Sequence, residues 1–167
     1  MQVLDHGVDM CVVTFSAVMF ADATGFFKAH PDFSFVVYAS MMLAQFMNNW
    51  YHSVTGLMSW GGRYISIDEG LLMNIAIIAY RYISPDVPAF KTTAFTVPQE
   101  YRGYLEKVDI MERDGTINVM TMIGIAIVLA ALQDCASKLI DSVTVASTEG
   151  KLAKALQDLA PVLLFQL

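Results

Sequence analysis

The chain has 167 residues, a formal net charge of −6, and 56% apolar against 16% charged residues. Ordinary soluble domains hold roughly 45–50% apolar and about 25% charged residues, so the balance points to a membrane or to a subunit covered by others. An acidic chain with no basic stripe lacks the electrostatic footprint of a nucleic-acid binder. Cys11 and Cys135 stand far apart, with neither metal nor redox spacing, and read as two free thiols.

Met1–Asp9 carries two acids and neither Lys nor Arg, the opposite of the positive start of a secretory signal. Asp5, His6 and Asp9 could hold a metal weakly, but acids at this place more often cap a helix. The apolar run between Asp9 and Asp22 predicts a first helix over residues 8–23, ended near Thr24-Gly25. That is short for a bilayer span, which takes about 20 residues.

Residues 33–62 follow without a single Asp, Glu, Lys or Arg. Pro31 and Asp32 suit a helix start, and Gly61-Gly62 suits an exit, so the expected helix covers residues 31–60. It is the longest apolar segment and the best candidate to cross a membrane. At ~100° per residue its polar side chains fall along one line: Ser34, Gln45, Asn48, Asn49, His52, Thr55 and Ser59. Three uses compete for this stripe. It can glue helices together by hydrogen bonds, line a watery path or ligand site, or present His52 to haem or a metal. The last lacks a second His or Cys at ligand spacing.

Ser66 and Glu69 form a capping box for a helix over residues 67–83, stopped by Ser84-Pro85. Gly70, Asn74, Ile77 and Arg81 share a side that could lie against the stripe. Residues 84–97, with Pro85 and Pro88, read as a polar loop; Phe95–Val97 and Tyr64–Ile67 are weak strand candidates left as loop. A two-faced helix is expected over residues 98–113, with Tyr101, Leu105, Val108 and Met111 on its apolar side as a partner-docking face and its charges solvated.

A second long helix is expected over residues 116–146, capped at Thr116, where small Ala126 and Ala130 permit close approach of a neighbour. Its apolar stretch ends near Gln133, with Asp134, Lys138 and Asp141 beyond it. A last amphipathic helix covers residues 148–160 and stops at Pro161; Leu164 and Phe165 in the apolar tail are further docking candidates.

There is no phosphate-binding loop, dinucleotide fingerprint, nucleophile elbow or zinc-protease motif, and no nucleophile with an evident base. The expectation is therefore a single all-α helical bundle, membrane-embedded, without catalytic, cofactor or metal residues. Its function would be that of a structural subunit among other protein subunits in a lipid bilayer. The alternatives are a soluble protomer of a self-assembling shell, coat or filament, and a pore or carrier lined by the stripe.

Overall fold

The computed structural model describes residues 2–57, 67–83 and 92–165. The chain is mostly helical. Helix α1 (Gln2–Thr24) begins earlier than expected, with Asp5 inside the helix near its positive end. Gly25, at φ +70°, turns the chain into the one-turn α2 (Phe26–Ala29). His30 then breaks the path, and Pro31 and Asp32 open α3 (Pro31–Thr55).

Helix α3 stops five residues short of the expected boundary. Gly56, at φ +72°, donates its N–H to the His52 carbonyl at 2.8 Å, a left-handed exit that Gly adopts readily. The Thr55 hydroxyl reinforces it, donating to the Tyr51 carbonyl (2.8 Å) and accepting the Leu57 N–H (3.1 Å). Ser59, Gly61-Gly62, the Ser66 cap and the Pro85–Pro88 loop lie outside the described residues.

Helix α4 (Ile67–Ile83) packs mainly on α1 rather than on α3. The expected loop at Thr93–Thr96 is instead a strand, β1, paired antiparallel with β2 (Thr116–Asn118): Thr93 opposes Asn118, Phe95 opposes Ile117 and Thr96 opposes Thr116. Between them the expected helix 98–113 breaks. Helix α5 (Gln99–Leu105) tightens into a 3-10 turn at Glu106–Val108 and ends at Asp109, which takes a left-handed φ of 52°. Asp tolerates that conformation better than most residues. Met111, Glu112 and Arg113 thus leave the helix. At the turn before β2, the Thr116 hydroxyl and N–H both donate to Asp114, which holds the Asp114 carboxyl below its ordinary range. Residues 92–118 form one polar lobe.

Asn118, rather than Thr116, caps α6 (Val119–Thr148); its side-chain oxygen accepts the Thr121 N–H at 2.7 Å. Gly150, at φ +69°, separates α6 from α7 (Leu152–Phe165), so the last helix starts later than residue 148. It runs through Pro161 rather than stopping there. That removes only the hydrogen bond to the Gln157 carbonyl, on an exposed residue.

Helices α3 and α6 make the main packing contact and run in the same direction. Phe33 and Val37 meet Met120 near both N-termini, while Met47 and Trp50 share a cluster with Ala146, Ala155 and Leu159 near both C-termini. Helix α1 returns antiparallel beside α3, with the Thr14 hydroxyl 3.6 Å from Met42 Sδ. Helix α7 folds back at the far end.

Gly124 is packed closely against the α2–α3 side, whereas Ala126 and Ala130, the small residues expected to allow close approach, are exposed. A Cβ at Gly124 would stand 3.1 Å from the Phe26 and Phe33 rings and 3.4 Å from Val37. Gly124→Val is expected to force the helices apart and cost about 1–3 kcal/mol, read as a lower unfolding midpoint. Gly124→Ala, which needs a shift of only tenths of an ångström, should cost clearly less.

Candidate functional site

Two polar constellations are buried. The first is the α3–α6 seam. Of the stripe on α3, Ser34 and Gln45 are buried, while Asn48, Asn49, His52 and Thr55 are half-buried. The Ser34 hydroxyl donates to the His30 carbonyl at 2.7 Å. Asn48 Oδ1 is enclosed without a hydrogen-bond partner. The stripe is therefore buried at Ser34 and Gln45 and partly exposed from Asn48 to Thr55.

Helix α6 answers with a face of its own. Thr121, Gly124, Val128, Ala131, Cys135, Lys138 and Ser142 recur at spacings of three and four, and each is buried or half-buried. Lys138 was expected to lie beyond the packed zone. It is instead 4% exposed and ion-paired with Asp134 one turn earlier on the same helix. Ser142 is fully enclosed and its Oγ has no hydrogen-bond partner.

The second constellation centres on His30, which the sequence reading passed over. His30 is 1% exposed and stands at the corner between α2 and α3, tilted against the Phe26 ring with centroids 5.7 Å apart. Its Nδ1 lies 3.5 Å from Asp109 Oδ1 and its Nε2 lies 3.3 Å from Glu112 Oε1. These are ion-pair distances without hydrogen-bond alignment. Each carboxylate also serves a helix start. Asp109 Oδ2 accepts the Asp32 N–H at 3.1 Å, and Glu112 Oε1 accepts Asn118 Nδ2 at 2.8 Å. Asn118 in turn caps α6. The imidazole thus lies between the carboxylate that meets the first turn of α3 and the one that holds the cap of α6.

The two carboxylates sit at opposite nitrogens of one ring, so they do not converge on a point where a metal could be held. Among the described residues, no group of three or more His, Cys, Asp or Glu could hold a metal ion. No sequence signal joins residue 30 to residues 109 and 112. Only the turn at Asp114-Gly115 and the left-handed Asp109 bring them to the corner.

The proposed docking face is dispersed. Tyr101 and Val108 are exposed, Leu105 and Met111 are half-buried, and Met111 lies beyond the helix. Leu164 and Phe165 belong to the last turns of α7, and their side chains lie outside the described set. The chain matches no family model, and comparison with curated proteins and with solved structures finds no match.

Proposed function

We propose that this chain is a membrane-embedded helical subunit with a structural role, in which α6 crosses the bilayer and the α3–α6 seam holds the bundle together. The observation that carries this reading is the inverted distribution of polarity on α6. Thr121 and Ser142 are fully buried and Lys138 nearly so, while Leu129 is 61%, Leu132 50% and Ile140 65% exposed. Only 17% of its most apolar 18-residue stretch is buried. Among the described residues it is the one helix both long and apolar enough to cross a membrane, which corrects the expectation that residues 31–60 would be that helix.

The same inversion recurs elsewhere. Helix α3 buries Ser34, Ser40 and Gln45 yet exposes Phe35 and Val36; Phe15 on α1 and Leu72 on α4 are also exposed. In water such a surface is a liability. Against acyl chains it costs nothing, and polar groups turned inward are what helices in lipid use to adhere. Other subunits, identical or different, would share the exposed apolar faces with lipid.

A single charge tests this. Leu129→Arg places a cation on the exposed face of α6, near the middle of its apolar stretch. If that face meets lipid, insertion should be penalised by about 2.5–3.5 kcal/mol. The variant should then be found in aggregates or degraded, while wild type resists alkaline extraction from membranes. If wild type stays in the aqueous fraction and Leu129→Arg behaves like it, the membrane reading fails. Particles formed without detergent would then identify the chain as a soluble self-assembling protomer.

A further inference from the structure

We propose that His30 is a proton-dependent latch that fastens the polar lobe of residues 92–118 to the helix bundle. The geometry suits two protons on one ring. A neutral imidazole has one N–H and one lone pair, so it can face only one carboxylate favourably. Here Asp109 stands at Nδ1 and Glu112 at Nε2, and burial leaves the ring without water to take the place of either. The doubly protonated ring attracts both. Once one proton leaves, a lone pair of the buried ring faces a carboxylate, and one of the two ties is lost.

The consequence reaches past the ring, because both carboxylates hold helix starts. Asp109 accepts the Asp32 N–H, and Glu112 accepts from the Asn118 cap of α6. Releasing either carboxylate loosens the lobe where it meets α3 and α6. The other charged groups on the surrounding elements are Asp22, Lys28 and Asp32 on the corner side and Glu100, Arg102, Glu106, Lys107, Arg113 and Asp114 on the lobe; all are exposed except Arg102, which is half-buried and donates to the Val97 carbonyl. Helix α6 brings none to this end, its first being Asp134. Between about pH 5 and 8 the side chain type that changes charge is histidine. The latch is closed while the ring holds both protons and opens when it loses one. This holds whether lipid or protein covers the bundle.

The test is the rate of tryptic cleavage at Lys107 and Arg113, divided by the rate at the exposed Lys151 of the same molecules, from pH 5.5 to 8. The ratio cancels the protease's own pH dependence. For the intact wild-type chain in mild detergent it should rise at least about threefold across this range. His30→Gln should give a high ratio that does not change with pH. Glu112→Gln leaves Asp109 as the ring's one anionic neighbour, which a neutral imidazole can satisfy, so its rise should fall to less than half of wild type. That second variant keeps the test open if His30→Gln does not fold. A flat wild-type ratio overturns the proposal, and so does a full wild-type rise in either variant.

Discussion

Asp134→Ala is expected to destabilise the protein by about 3–5 kcal/mol, far more than loss of a surface ion pair would. The reason is what it leaves behind. Lys138 is 4% exposed and pairs with Asp134, and without that carboxylate an ammonium is enclosed with no counter-charge. The pair itself is not a source of net stability, because desolvating two charges cancels much of their attraction. The double variant Asp134→Leu with Lys138→Met should therefore recover most of the loss. Unfolding followed by circular dichroism in mild detergent checks both. Equal losses in the single and double variants would show that neither charge is enclosed as described.

That prediction could not have come from the sequence. Asp134 and Lys138 stand where the uncharged run of α6 ends, and an i,i+4 acid–base pair at such a place is most simply a solvated edge. The main packing partner of α6 is α3, a segment some ninety residues earlier, and nothing local announces that contact. The stripe that includes Lys138 went unread: Ala126 and Ala130 drew attention to a face that is exposed, while Thr121, Gly124, Ala131, Cys135, Lys138 and Ser142 share the packed one. Composition set the expectation for the surroundings, and the described residues leave many large apolar side chains exposed. Local chemistry placed the start of α3 at Pro31 because proline and an acid agree there. It misplaced the end because Gly61-Gly62 drew the boundary past Gly56, where the helix exits.

The strands and the latch were hidden for the same reason. Thr93–Thr96 is four residues long, and its partner Thr116–Asn118 is about twenty residues away beyond a helix. Nothing in either segment names the other. His30 meets Asp109 and Glu112 across nearly half the chain, through a charge run that reads as solvent-facing. Non-local pairing of this kind is set by topology rather than by propensity.

Trp50→Ala should cost about 3–5 kcal/mol and detach α7 first. Trp50 is 3% exposed, packs in one cluster with Met47, Ala146, Ala155 and Leu159, and donates its indole N–H to the Ala155 carbonyl at 3.1 Å. Three helices meet on this one side chain, which is the main bridge from α3 to the returning helix. Trp50→Phe retains most of the apolar area and loses the hydrogen bond, a change of about 1 kcal/mol plus a small void. Hydrogen exchange resolves the order of events. In Trp50→Ala the amides of α7 should lose protection while those of the α3–α6 contact near Gly124 keep theirs, because that contact rests on Phe26, Phe33 and Val37 instead. Uniform loss across both regions would mean that the two clusters open together. The bundle would then be one cooperative unit rather than a seam with a separately anchored end.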